Sequence, residues 1–550
     1  MDTQRLIMFV VFSFSILMLW DAWQKDQHPQ PTQNMPATVA SSTSGVPVPS
    51  KSAPTLPHAV VPDDVQQLPK GARIKVHTDT LYVEIDTVGG DIRRLELTKH
   101  RDDTDKSKHF VLFAEQKPNT YIAQSGLIGN ILPTHKTLFT VHGTEFSLAT
   151  GASDLKVKLS APISSGIQVD KIFTFHRDSY VVDVEYQIRN GSENAISPHA
   201  YYQLVRDDSA SKGDSMFIST YAGPAIYTEN QKFQKVSFSD IEKNKTTHQK
   251  QSNDGWVAML QHYFLSAWLP NNGMSREFYT KAMGNKLYAA GVILPVGSIA
   301  PGASGMISVP LYAGPQEQEN LSKLAPGLDL TIDYGLLTII AAPLFWVLSK
   351  IQGMVNNWGV AIILLTVLIK LAFYPLAAKS YRSMAHMRVL GPKLQKLKEQ
   401  YGDDRQRLHQ AMMELYKTEK VNPLGGCLPV VVQIPVFIAL YWVLLASVEM
   451  RHAPFALWIQ DLSAADPYYV LPIIMGITMI IQTKLNPTPP DPIQAKVMMV
   501  MPFAFSIFFF FFPAGLVLYW VVNNVLSIAQ QWQITRSMEQ LHAAKGHGKN

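Results

Sequence analysis

Apolar positions are distributed unevenly along the chain and follow two different periods. Residues 6–20 form one apolar run behind Arg5, flanked by Trp20 and Trp23, and Asp21-Ala22-Trp23 follows with no small-x-small cleavage pattern. That predicts an uncleaved membrane anchor in preference to a secretory signal peptide. In the C-terminal part, residues 358–376, 428–448, 468–481 with their flanks, 497–512 and 516–529 read as five further spans, the last two joined by the turn Pro513-Ala514-Gly515. Several are shorter than the roughly 20 residues that a hydrocarbon core requires, so either their flanks extend the helices or the bilayer thins around them. Residues 336–348 are also apolar, but Asp329 and Asp333 precede them and Pro343 and Lys350 break the run. They predict an interfacial helix leading into the next span, not a seventh crossing.

Between the anchor and these spans the pattern changes. Residues 28–62 hold eight prolines with many Ser and Thr, which reads as an extended, disordered tether. Strand alternation then begins: Leu81, Val83 and Ile85 alternate with Tyr82, Glu84 and Asp86, and Gly89-Gly90 turns the chain. Residues 171–176 and 180–189 predict a hairpin across Arg177-Asp178-Ser179, with Val182, Val184, Tyr186 and Ile188 on one face. Turn signals recur to about residue 315, as expected of one large all-β sandwich. It carries no HExxH, GxSxG, Walker A or dinucleotide fingerprint, and its histidines are scattered, so it reads as scaffold and docking surface.

Composition sharpens this division. Hydrophobic residues are 47% of the 550 and charged residues 17%, averages that resemble a soluble protein only because a polar middle is summed with apolar ends. The single cysteine, Cys427, excludes an internal disulfide framework and a cysteine-based zinc site. Residues 379–420 carry ten Lys/Arg against five Asp/Glu, an excess of +5 that equals the net charge of the whole chain. By the positive-inside rule this loop is cytoplasmic. Six crossings then place both termini in the cytoplasm and residues 24–357 outside, which is the periplasm if the cell is Gram-negative.

The basic loop predicts two helices. Met384, Met387, Leu390, Leu394 and Leu397 recur at spacings of three and four, Gly402 ends the first helix, and Asp403-Asp404 cap a second that carries Leu408, Met412 and Leu415. The charge alone fixes topology. It also fits contact with lipid head groups, a nascent chain or ribosomal RNA, through Lys393, Lys396, Lys398, Arg405 and Arg407.

Polar residues at membrane depth are the most informative feature. Lys370 lies about 18 Å along its span at about 1.5 Å per residue, where an ammonium is costly unless water or a partner meets it. Thr366 lies one turn earlier. Gln433, Asn523 and Asn524 fall in the same cytoplasmic half of the bilayer, which predicts one hydrated cavity open to the cytoplasm. A lysine snorkelling to the interface is the simpler alternative.

Several ordered stretches resemble a known family. They are Val421-Asn422-Pro423-Leu424-Gly425-Gly426-Cys427-Leu428-Pro429 with Gln433-Ile434-Pro435; Ala453-Pro454-Phe455-Ala456-Leu457-Trp458 through Asp466-Pro467-Tyr468-Tyr469; and Phe512-Pro513-Ala514-Gly515-Leu516-Val517-Leu518-Tyr519-Trp520. From about residue 320 onward the chain resembles the YidC/Oxa/Alb family of membrane protein insertases, and its anchor and outer domain are similar to the YidC form of Gram-negative bacteria. The resemblance implies an ATP-independent insertase and chaperone that works alone or beside the Sec translocon, without cofactor, metal or catalytic residues. Nascent membrane proteins, the bilayer and, through the hairpin, the ribosome are its expected partners, and DNA is not. The implied fold is a multidomain membrane protein: six transmembrane helices, five of them a conserved core with a cytoplasm-facing groove, plus a periplasmic β-supersandwich resembling galactose mutarotase. In that family an arginine draws clients into the groove; the matching position here is Lys370, which keeps the charge and loses the bidentate fork. Thr366 and Gln433 match groove-lining positions, Tyr519 and Trp520 the client-contacting helix, and Asn523 completes the expected groove.

The expected domains are therefore an anchor at 1–23, a linker at 24–70, a β-sandwich at 71–320 and an interfacial helix at 321–350. A second transmembrane helix at 351–378, the hairpin at 379–420, helices three to six at 421–535 and a short cytoplasmic tail at 536–550 complete the set. A polytopic transporter with a periplasmic binding domain is the rival reading. It would usually show internal repeats and midplane charges, and neither is seen in the sequence.

Overall fold

The structure, a computed structural model, describes residues 69–129, 131–209, 221–402, 404–419, 428–486 and 492–547. The expected anchor, the tether up to residue 68, the cap residue Asp403 and the 421–427 motif with Cys427 lie outside these residues. The strand alternation folds as the period of two requires. Among the described residues, strands from Arg73–His77 to Ser304–Pro315 build a ten-stranded and a nine-stranded sheet. Val76 and Val83 face each other across one antiparallel pair, and neither has exposed surface. The expected hairpin is present as Ile167–His176 paired with Val181–Asn190, Val182 opposite Phe175. Its buried face is Val182, Val184, Tyr186 and Ile188, and Asp178 takes the positive φ of 52° that the tight turn demands. Inside the sandwich Lys171 donates to the carbonyls of Gly89 and Gly90 at 3.0 and 2.9 Å, and burial lowers its pKa. Gly89 and Gly90 both need positive φ to present those carbonyls.

The helical half differs from the sequence expectation in four places. The short helices α1 (Phe238–Glu242) and α2 (Gln318–Leu324) precede α3, which runs Thr338–Val355. The helix expected at 336–348 thus continues past Lys350 through Ile351, Met354 and Val355, and Asn356 then closes it in the left-handed region with its N–H on Gln352 O. Among the described residues α3 is the one helix that is long and apolar enough to cross a membrane. The expected span 358–376 is instead two helices, α4 (Trp358–Ala372) and α5 (Tyr374–Val389), bent by 67°. Pro375 has no N–H to continue the α4 ladder but is well suited to the first turn of α5.

The first hairpin helix is broken at Leu390, before Pro392, into α5 and α6 (Gly391–Tyr401). Asp404 caps α7 (Arg405–Thr418), accepting from Gln406 N and Arg407 N at 3.1 Å. The expected stripes of Leu394, Leu397, Leu408, Met412 and Leu415 are only partly buried. Then come α8 (Leu428–Ala446), α9 (Val470–Leu485), α10 (Pro492–Phe508) and α11 (Ala514–His547), the last absorbing most of the expected tail into one helix.

The two halves are joined by more than the chain. Val448, just after α8, packs into the sandwich core, and His262 Nε2 lies 3.0 Å from Leu445 O. Arg451 lies against the stacked rings of Phe110 and Phe264, 5.2 and 5.4 Å from their centres, and pairs with Asp103 at 2.7 Å. Beside it His452 Nδ1 lies 2.8 Å from Asp461 Oδ2. Burial works to raise the Asp461 pKa, but hydrogen bonds from His452 and Ser463 hold it at about 2.

Candidate functional site

The polar positions converge where α4 ends. Asn357 caps α4 by accepting from Val360 N at 3.0 Å, and its amide donates to Phe455 O at 2.9 Å. Gly359 lets the loop after α8 press onto the helix, since a methyl there would lie 2.1 Å from the Phe455 ring. Fixed at that end, α4 delivers Lys370 in its last turn. Lys370 Nζ lies 2.7 Å from Ser527 Oγ and 3.5 Å from Gln433 Oε1. Gln433 Nε2 in turn donates to Asn523 Oδ1 at 2.6 Å. Helices α4, α8 and α11 are therefore cross-linked by polar contacts inside an otherwise apolar bundle. Each contact meets a group that would be costly to leave unpaired at that depth.

These side chains line one open cavity of about 360 Å³. Of the expected groove residues, Lys370, Gln433, Tyr519, Trp520 and Asn523 all reach it. Tyr519 and Trp520 are set by Phe437, whose ring lies 6.1 and 4.6 Å from theirs. Thr366 does not reach the cavity: it is 1% exposed, and its hydroxyl donates to Ile362 O at 2.6 Å. That is the ordinary resting place of a threonine inside a helix.

The cavity also has a wall that the sequence reading did not assign. Ser380, Tyr381 and Met384 come from α5, which reads as hairpin in sequence but folds back under the bend. Gln482, Thr483 and Asn486 come from the end of α9, just beyond the expected span. Ser527 follows Asn523 by four residues on the same face of α11, a spacing that could have flagged it.

The hairpin residues stand apart from this cavity. Lys393 and Glu419 lie 2.5 Å apart and join α6 to the end of α7, and Arg407 pairs with Asp404 at 3.3 Å. Lys396 and Lys398 lie on α6, and Arg405 is the first residue of α7. Among the described residues no cluster of His, Cys, Asp and Glu could hold a metal ion.

A family model described as the YidC periplasmic domain matches residues 73–347, and one described as the 60Kd inner membrane protein matches residues 350–541. A membrane protein insertase YidC of Methylobacillus flagellatus is 61% identical over 550 residues, covering 99% of both chains. The chain belongs to the YidC family. A second YidC insertase, from Aromatoleum aromaticum, is 57% identical over 98% of both chains. The crystal structure of an active YidC insertase with its first transmembrane domain resolved is 18% identical, with a TM-score of 0.40, and covers 84% of this chain and 92% of its own. The YidC family places the chain in a membrane. Its helices accordingly keep large apolar side chains such as Ile477, Met499, Phe503 and Ile507 at least half exposed on α9 and α10.

Proposed function

We propose that the chain inserts membrane proteins by admitting a client's polar flank to the Lys370 cavity while the client's apolar segment passes into lipid along α8 and α11. The observation that carries this reading is the meeting of Lys370, Gln433 and Asn523 in one open cavity beside helices with exposed apolar faces. An ammonium held in a polar cavity at membrane depth attracts an acidic or polar segment, and the cavity spares that segment direct contact with hydrocarbon. No nucleotide or catalytic group is required. About 20 apolar residues at about −0.5 kcal/mol each make lipid partition downhill by about 10 kcal/mol.

In the same reading the basic loop keeps the hairpin and both termini in the cytoplasm and the sandwich in the periplasm. The hairpin, through Lys393, Lys396, Lys398, Arg405 and Arg407, faces the ribosome, and the Sec translocon is a partner for larger clients. The family membership and the charge asymmetry support this arrangement.

The test is insertion of a small, single-span, acidic-flanked client into liposomes holding only the purified protein, without ATP or translocon. Protease-protected client well above the empty-liposome background is the expected result. Background-level protection with folded protein would overturn autonomous insertion.

A further inference from the structure

Ser527 closes a ring around the ammonium. Its hydroxyl accepts from Lys370 Nζ at 2.7 Å and donates to Asn523 O, one turn back, at 2.7 Å. The ring continues through Asn523 Oδ1 to Gln433 Nε2 at 2.6 Å and returns from Gln433 Oε1 to Lys370 at 3.5 Å. Tyr381 lines the same cavity. Ser527 is 3% exposed, and its one proton is already committed to its own helix. What it offers the cavity is therefore lone pairs, which can hold a donor such as Lys370 but not an incoming anion.

We propose that Ser527 is an internal competitor of the client: it holds Lys370 against α11 in the resting groove, and a client acceptor must displace it. This deepens the reading above and rests on its assignment of Lys370 to the client's flank. The bond to Ser527 has one charged partner; a carboxylate makes both partners charged, adds direct Coulomb attraction and wins the exchange. A neutral amide exchanges like for like and gains little. Ser527 thereby sets the threshold that a flank must pass to capture Lys370, and it acts as a positioning residue, not as a contact to the client.

The experiment measures binding of two fluorescent single-span peptides to the full-length protein in nanodiscs. The peptides differ only in an aspartate or an asparagine in the flank. Removing one hydrogen-bonding competitor is worth about fivefold in affinity. Ser527→Ala should tighten both peptides by about that factor, so that the asparagine peptide becomes a ligand. Ser527→Thr, which keeps the hydroxyl, should restore the original affinities. In a Lys370→Ala background Ser527→Ala should change nothing, because the group being competed for is gone.

Unchanged or weaker binding by Ser527→Ala, while Lys370→Ala still weakens the aspartate peptide, overturns the competitor role alone. Aspartate-peptide binding by Lys370→Ala equal to wild type overturns the underlying reading of Lys370, and the competitor role with it. A tightening that persists in the Lys370→Ala background also overturns the proposal, because Ser527 would then be acting by some other route.

Discussion

Arg451, in the loop after the helix that carries Gln433, pairs with Asp103 of the outer sandwich at 2.7 Å, its own side chain only 2% exposed and that of Asp103 36%. The same guanidinium lies over the rings of Phe110 and Phe264, which stack on each other 4.0 Å apart. The two partners are not equivalent. Asp103→Ala should leave a buried cation with backbone and ring contacts only and destabilise the docked sandwich by about 3 kcal/mol. Arg451→Ala removes the buried charge and leaves a carboxylate that water can reach, so it should cost less, about 1–2 kcal/mol. Denaturant unfolding of the full chain, with protease susceptibility of the joint as a second readout, would rank the two. Equal losses would mean that the difference in burial between the two partners does not set the cost.

Lys370→Ala should lower insertion of an acidic-flanked client by about tenfold, the value of one charge-assisted hydrogen bond at the low end of its range. Lys370→Arg should retain most activity, because the charge is kept and Ser527 and Gln433 both present acceptors to a guanidinium. Protease-protection assays in liposomes check both, and a neutral-flanked client serves as control. Equal insertion of the acidic-flanked client by wild type and Lys370→Ala would count against the electrostatic role.

Gly359→Ala tests how α4 is seated. The added methyl would meet the Phe455 ring at 2.1 Å, a distance that forces the loop or the helix to move. Overpacking of this kind costs about 1–3 kcal/mol. The expected outcome is a lower unfolding temperature in detergent, partly recovered when Phe455→Ala is added.

On the sandwich surface His176 lies between two carboxylates, with Asp154 2.6 Å from Nδ1 and Asp183 2.8 Å from Nε2. Burial opposes protonation, but the hydrogen bonds to Asp154 and Asp183 prevail and raise its pKa. A raised pKa makes its contribution fully present below the unfolded value of about 6.5 and lost as pH climbs through the folded value. The stability gap between wild type and His176→Asn should therefore be wider near about pH 6 than near about pH 9 in denaturant titrations. A gap that widens toward alkaline pH would reverse this assignment.

Legibility in the sequence follows the period. The 181–190 strand could be placed residue by residue because it has one wet face, so Val182, Val184, Tyr186 and Ile188 alternate with polar neighbours. Leu287–Pro295 could not, since it is buried at every position but the last and carries no alternation. The break at Phe373 was hidden for a related reason: the residues on both sides are apolar, and a proline two residues later is as compatible with a helix start as with a helix end. In the cavity, Lys370, Gln433 and Asn523 were legible because charges and amides at membrane depth are expensive. Ser527 shares a helix face with Asn523, but that spacing is a weak signal, because a hydroxyl in an apolar helix ordinarily satisfies itself on the carbonyl four residues back. It does so here on Asn523, and its second bond depends on a helix 157 positions away.

The bend between α4 and α5 has an electrical consequence. A continuous span would have carried its backbone carbonyls past Lys370 in satisfied intrahelical bonds. Ending α4 at Ala372 instead leaves the partially negative terminus of a helix dipole within one turn of the ammonium. Among the described residues no carboxylate lies within ion-pair distance of Lys370. The terminus of its own helix compensates that charge in part, by about 0.3–1 kcal/mol, and it is fixed in place. A cation only partly compensated by a fixed dipole has no mobile anion to expel and keeps most of its field for an arriving acidic side chain.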